Sequence, residues 1–345
     1  QQRCSFFESK LRGECMKTRS LTEGAMLGAI TVLVAILGEY IGIPSIIVPI
    51  PLMLLVYRQG FQYGILAAVA SALVASFVAG HVFSGLSILI WGFVGVAIGM
   101  ALREKFSFSK LMVVGIISNL VVIGLNFLLY YLIIGGNVLT DLLTMLDEAF
   151  EQAIQMSESM GITGQALQQY EALQSLAPTV LRVGLPSMLL VYAVSMSYIN
   201  LGIGRAILKR LGDTSTPWIV PFAQWRLPGY FGLVFVFGLV TTTMVQMVAV
   251  PPWLQFLGLN SFLISFYSYL IAGVSLAWFY FQKKNVLMFV RVLFLFMLLT
   301  VPSVLMILVL LTVADSFFDF RRLNAPEGEP IEVEHRETDS DDNEG

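Results

Sequence analysis

The sequence predicts an all-α, polytopic helical membrane protein, and three observations lead there. Hydrophobic residues make up 57 % of the 345 positions and charged residues only 12 %, with a mean hydropathy of +0.80; a soluble fold of this size needs far more charge to cover its surface. Apolar runs at 111–134, 230–250 and 286–314 reach or exceed the about 20 residues needed to cross about 30 Å of hydrocarbon. Basic residues also cluster in alternate connections between such runs, as they do in proteins threaded repeatedly through a bilayer.

Residues 1–19 form an N-terminal segment. Within it Met16-Lys17-Thr18-Arg19 has the form of a start with a positive flank, so residues 1–15 read as an extension from an upstream start or as added sequence. Both cysteines, Cys4 and Cys15, lie in that extension. The remainder has no thiol, which excludes disulfide scaffolding, cysteine ligation of metal and cysteine nucleophiles.

Nine spans are expected, at 21–41, 44–56, 61–79, 84–102, 111–134, 180–203, 230–250, 256–281 and 286–314. The second is short and carries Pro49 and Pro51, which predicts a broken or kinked helix. Lys17 and Arg19 precede the first span, Arg58 follows the second, and Arg103, Lys105 and Lys110 separate the fourth from the fifth. Arg205, Lys209, Arg210 and Arg226 follow the sixth, and Lys283 and Lys284 the eighth, whereas the stretch between Lys110 and Arg182 holds no basic residue. The rule that basic loops stay inside puts the N-terminus in the cytoplasm, provided the second span crosses. A single crossing by 286–314 would leave Arg321 and Arg322 outside; Pro302 near its middle also allows a hairpin that returns, and both readings stand.

The segment 140–175 is the one long non-membrane piece between spans. Leu142, Leu143, Leu146, Phe150, Ala153 and Ile154 recur at helical spacing opposite Asp141, Asp147, Glu148, Glu151 and Glu158, predicting one or two amphipathic helices broken at Gly161–Gly164. Their apolar face either lies on lipid or caps the bundle. Beyond the last span, residues 326–345 carry nine acidic residues and one arginine, a composition expected to be disordered; without them the chain has 19 basic against 14 acidic residues.

Small residues mark where helices approach closely. Gly64, Ala68, Ala72, Ser76 and Gly80 form a stripe along the third span, and Gly85, Gly92 and Gly99, with Gly95, another along the fourth. In the first span, Gly24, Ala25, Gly28 and Ala29 form a patch that either packs internally or docks a partner. Polar groups are costly in hydrocarbon and face the bundle or a cavity. Glu39, Trp91, Asn119, Asn126, Tyr130 and Arg182 are therefore candidate ligand-binding residues, with Tyr192, Ser195 and Asn200 adding polar tips elsewhere. The alternative is that Glu39 and Arg182 sit at headgroup level while the asparagines link helices. Trp218, Trp225, Trp253 and Trp278 read as interface anchors.

Catalytic constellations are missing. The two histidines, His81 and His335, are too few for an ordinary His-based metal site. No Gly-rich phosphate loop with Lys-Ser/Thr occurs, and no intramembrane carboxylate pair has the form of a hydrolytic dyad. The expectation is a non-enzyme with no metal, no cofactor and no nucleic-acid partner.

The opening TRSLTEGAMLGAITVLVAILG, the stretch LKRLG…PWIVPFAQWRLP over 208–228 and ADSFFDFRRL over 314–323 together resemble a family of uncharacterised bacterial multi-pass membrane proteins, the YybS-like family. The first six spans also resemble the S components of energy-coupling-factor (ECF) transporters, through the small-residue first helix, the Pro-rich turn into a short second helix and the RQG…YG entry to the third. That resemblance implies capture of a small-molecule ligand on the outer side and docking of the first helix on a coupling subunit driven by ATPases. Gly24, Ala25, Gly28 and Ala29 match the docking patch, and Glu39 to Pro44 the loop beside the ligand.

The implied organisation is an S-component-like six-span core at 20–204 that includes the outer insert 140–175, a loop at 205–228, two or three further membrane helices in 229–323, and the acidic tail 324–345. Two functions compete. One is a solute-binding, transport-related protein; the alternative is a non-transporting scaffold or regulator of the cell envelope. An outward cavity lined by Glu39, Asn119, Asn126 or Arg182 would favour the first, and a solid bundle the second. The bilayer is the certain partner in either case; an ECF-type coupling subunit or another membrane protein is the implied one.

Overall fold

The computed structural model describes residues 21–39, 47–161, 164–213, 221–248, 250–318 and 320–321. Among these residues the structure is helical, with no strand. The helices are α1 (Leu21–Glu39), α2 (Pro49–Gln59), α3 (Phe61–Ala79), α4 (Val82–Arg103), α5 (Phe108–Ile134), α6 (Val138–Ser159), α7 (Gln165–Arg210), α8 (Phe231–Met247), α9 (Pro252–Lys283), α10 (Met288–Thr300) and α11 (Pro302–Phe318). Six described helices are long and apolar enough to cross a membrane: α1, α3, α4, α5, α7 and α9. In hydrocarbon every backbone N–H and C=O must bond within the chain, which is why the apolar runs fold as helices.

The chain divides into two compact units, one holding residues up to Pro221 together with Leu233–Ser268, the other Phe222–Gly232 together with Tyr269 onward. In the first unit α2 is central. It has 11 residues, about half of what a span requires, and its residues from Pro49 to Val56 are all buried. The two prolines do not kink it. They stand in its first turn, where the N–H groups have no helical partner to lose. Residues 40–46, on which the expected start of the second span falls, lie outside the described residues.

Small residues let α3 and α4 close on this short helix. A Cβ at Gly95 would strike the Pro49 carbonyl, one at Gly99 the backbone of Met53, and one at Gly85 the carbonyl of Ala72 on α3. Gly64 packs on Val56, and Ala68 and Ala72 are buried, so the stripe on α3 is internal packing; its last member, Gly80, ends the helix with φ +76°. Ile50, Met53, Leu54, Val94, Ile98, Leu111, Val122 and Leu201 fill the core between α2, α4, α5 and α7.

α7 has 46 residues, a rod about 69 Å long. The second helix of the expected outer insert is therefore continuous with the sixth span. The break falls where the sequence places it, with Gly161 at φ +74° and Gly164 at φ +78°. α6 lies against the start of α7, where Gln174 donates to Asp147 (2.6 Å). Pro186 interrupts α7 inside its apolar stretch, removing a helical hydrogen bond and pushing its turn open. Asn260 of α9 bridges that turn. Its Oδ1 accepts from the Ser187 N–H (3.2 Å) and its Nδ2 donates to the Val183 carbonyl (2.9 Å), the two groups that would pair in an unbroken helix.

In the second unit, α10 and α11 form a pair bent by 103° at Val301-Pro302. Both ends are held at the last turns of α9: Arg291 of α10 donates to the Phe281 and Val286 carbonyls and lies 5.2 Å from the Trp278 ring, and Tyr280 donates to the Phe320 carbonyl beyond α11. Both ends of the pair thus lie near the C-terminal end of α9. Arg321 locks this arrangement. The guanidinium, with no exposed side-chain surface, donates to Asp315 Oδ2 (2.9 Å), the carbonyls of Ala223 (3.1 Å) and Trp225 (2.8 Å), and Ser275 Oγ (3.1 Å). Arg226 caps the Asp315 and Ser316 carbonyls at the end of α11.

Two stability outcomes follow from these contacts. Gly95→Ala forces a methyl onto backbone and lowers the melting temperature by an amount equivalent to about 1–3 kcal/mol, whereas Gly124→Ala, which meets open space, is neutral or stabilising by up to about 1 kcal/mol. Asn260→Leu keeps the volume but strands the Ser187 N–H and the Val183 carbonyl, at about 1–3 kcal/mol for each group. Thermal melting of the purified protein in detergent checks both; an unaffected Gly95→Ala or Asn260→Leu variant would contradict the packing described.

Candidate functional site

Four contacts sort the helix ends of the first unit. Glu23 at the start of α1 pairs with Arg58 and accepts from Gln59 at the end of α2. Arg103 at the end of α4 lies over Gly60, and Tyr57 donates to Asp213 just beyond α7 (2.7 Å). These ends, with the start of α5, bring Arg58, Arg103, Lys105, Lys110, Lys209 and Arg210 to one side of the unit. The opposite side carries Glu39, His81 and the acidic α6. The alternation read from the sequence is therefore present as a charge difference between the two ends.

Among the described residues, the candidate ligand-binding residues make their contacts with separate partners. Glu39 accepts from Ser84 Oγ (2.9 Å) and lies 3.9 Å from His81 Nε2, while Arg182 is exposed on α7 with no hydrogen bond or ion pair among the described residues. The opposite-charge pair that their level suggests is not formed. Asn119 is buried at 2 % exposure and donates to the Gly115 carbonyl (2.9 Å) and Ser197 Oγ (3.3 Å), joining α5 to α7. Asn126 donates back to the Val122 carbonyl (2.8 Å). Tyr130 donates to Asp141 on α6 (2.7 Å) and so fixes the outer helix to α5. Trp91 is half-buried between the two neighbouring core clusters of the first unit. Among the described residues no three His, Cys, Asp or Glu side chains come together as a metal site needs.

The small-residue patch of α1 does line a cavity. Gly24, Ala25, Gly28 and Ala29 face Tyr63, Leu66, Ala67, Ala70, Ser71 and Val74 of α3 across an apolar groove of about 550 Å³. The helical spacing of four places all four small residues on one stripe. The groove floor is fixed where Ser71 donates to the Gly28 carbonyl (3.0 Å), and a Cβ at Gly28 would lie 3.0 Å from that hydroxyl. Gly24 has more room, its nearest neighbour being Leu55 at 3.9 Å. Ala25 and Ala29 are exposed along the opening, flanked by Leu21, Leu33 and Leu66, each about 60 % exposed. A shallow trough with a backbone floor and leucine rims can seat the ridge of another helix. The contribution of α3 to it was missed in the sequence, although Ala67 and Ser71 repeat at the same spacing one step away from the stripe that packs inward.

Comparison with known proteins gives a family and no activity. YybS of Bacillus subtilis (strain 168), described as an uncharacterized protein, is 24 % identical over 277 residues, covering 78 % of this chain and 86 % of the relative. No solved structure matches. The family model described as "Predicted membrane protein (DUF2232)" matches residues 25–316, from the patch of α1 to the end of α11. The chain belongs to the DUF2232 family of predicted membrane proteins.

Proposed function

We propose that this protein is a docking subunit of a bacterial cell-membrane assembly, and that the groove between α1 and α3 receives a transmembrane helix of a partner protein. The observation that carries the reading is the pairing of a small-residue floor with an open apolar trough of about 550 Å³ at the rim of the bundle. Without a hydrophobic drive between helices in lipid, close backbone approach is the main source of association, and small residues supply it. The occupant is an apolar helix with its own small-residue face. The resemblance to S components agrees with this use of α1 and suggests an ECF-type coupling subunit. Solute capture has less support, because Asn119 and Asn126 donate to groups of the bundle and Tyr130 to the outer helix. The basic end faces the cytoplasm in this reading and α6 faces outward, as the distribution of lysine and arginine supports.

The structure changes which substitution tests the groove. Gly28→Leu would break the Ser71 contact, so it disturbs packing as well as docking. Ala25→Leu with Ala29→Leu fills the trough from exposed positions and leaves stability within about 0.5 kcal/mol. The double variant should melt like the wild type yet lose the membrane proteins that co-purify with it. Retention of the same partners would refute helix docking, and recovery of lipid alone from a photo-crosslinker at Ala29 would make the groove an acyl-chain site.

Orientation is tested with cysteines introduced after replacing Cys4 and Cys15 by serine. Ser159→Cys, exposed on α6, should react with an impermeant maleimide in intact cells, and Glu104→Cys, exposed at the basic end, only after permeabilisation. The reverse pattern would invert the protein. Ser157, two residues away, is buried at 8 % exposure and is unsuitable as the reporter.

A further inference from the structure

A second cavity lies at the basic end of the first unit. It measures about 500 Å³ and is lined by Tyr57, Arg58, Gln59, Arg103 and Asp213. Three helix ends form it, and most of its groups are committed: Arg58 to Glu23, Gln59 to Glu23, and Tyr57 to Asp213. Arg103 is the exception. It stands in the last turn of α4, exposed, with no hydrogen bond or ion pair among the described residues. Arg226, Arg291 and Arg321 by contrast donate to backbone carbonyls, and Arg182, another exposed arginine without a partner among the described residues, stands at the opposite side of the unit.

The turn between α2 and α3 makes room for this guanidinium. Gly60 has φ +103°, a backbone conformation that L side chains rarely adopt, and a Cβ there would come within 3.2 Å of Arg103 Nη1. Arg103 therefore lies close over bare backbone and lines the cleft. Lys105, Lys209 and Arg210 add positive charge at the same end.

We propose that this cleft binds a phosphate-bearing anion, either the headgroup of an anionic membrane lipid or free phosphate, with Arg103 as its direct ligand. A guanidinium matches two phosphate oxygens with two parallel N–H donors, which an ammonium cannot do. The cleft sits where the helices end and the charged residues begin, the level of lipid headgroups, and basic pockets between membrane helices suit anionic headgroups. Asp213, which shares the lining and already accepts from Tyr57, selects among them. A carboxylate in the cleft repels a second phosphate but accepts from hydroxyls, so a phosphodiester carrying a hydroxylated headgroup, as in phosphatidylglycerol, suits both residues.

The test uses the full purified chain in an uncharged detergent, with phosphatidylglycerol, phosphatidylcholine and inorganic phosphate as probes. Native mass spectrometry counts retained lipid, and melting reports protection. The wild type should retain phosphatidylglycerol in preference to phosphatidylcholine and be stabilised by it. Arg103→Gln should weaken that retention about tenfold, with Arg103→Lys between the two. Protection by inorganic phosphate alone, lost in Arg103→Gln, would assign the cleft to free phosphate and still support the proposal. Equal retention of phosphatidylglycerol by wild type and Arg103→Gln would overturn it, as would a wild type that neither prefers that lipid nor responds to phosphate. Should Arg103→Gln fail to fold, Arg103→Lys decides: binding as tight as the wild type would remove the two-pronged contact.

Discussion

The rest of the structure depends on one constraint, the absence of water as a hydrogen-bond partner in the hydrocarbon. A backbone group that loses its helical partner must find another within the chain. The serine and threonine hydroxyls comply locally, as Ser118, Ser195, Thr241 and Thr312 each donate to the carbonyl four residues earlier. Pro186 cannot be satisfied locally, so Asn260 reaches across from another helix to hold both sides of the opened turn. The same rule governs the second unit, where Arg321 and Arg226 are placed against carbonyls that no helix satisfies.

The buried Arg321–Asp315 pair is best understood through those carbonyls. Two isolated charges lose more in leaving water than they regain from each other, and a buried pair is weak evidence for stability on its own. Here the pair is one part of a network: the loop 222–232, α9 and the end of α11 all present oxygens to the same guanidinium. The Phe320 N–H donates to the other oxygen of Asp315 (3.0 Å), so the carboxylate also fixes the chain leaving α11. The result is positional specificity for the end of the bent helix pair.

How much was legible in the sequence follows from the range of each interaction. Helix class, the small-residue stripes and the break at Gly161–Gly164 depend on neighbours within a few positions, and each can be read from spacing. The charge asymmetry of the two ends is a sum over many residues and survives errors in any one span. Contacts between distant positions were not legible. Nothing near Asn260 points to Pro186, and nothing near Arg321 points to Ala223. The partners of the polar candidates were hidden for a related reason: Asn119, Asn126 and Tyr130 share a face of α5, but sequence spacing cannot tell which side chains of α6 and α7 that face meets. The shortness of α2 was visible, but its burial on every side was not, because that depends on glycines of α4 that come much later in the chain.

That separation between α2 and its glycine partners has a consequence for biogenesis. A helix of 11 residues is a poor substrate for the insertion machinery, and α2 becomes stable in the membrane only when Gly95 and Gly99 of α4 press against it. At synthesis rates of roughly 5–20 residues per second, α2 emerges seconds before α4 exists. Until then its backbone ends have no apolar enclosure in the chain. The enclosure of α2 therefore does not follow the order of the chain: it waits for glycines made two helices later.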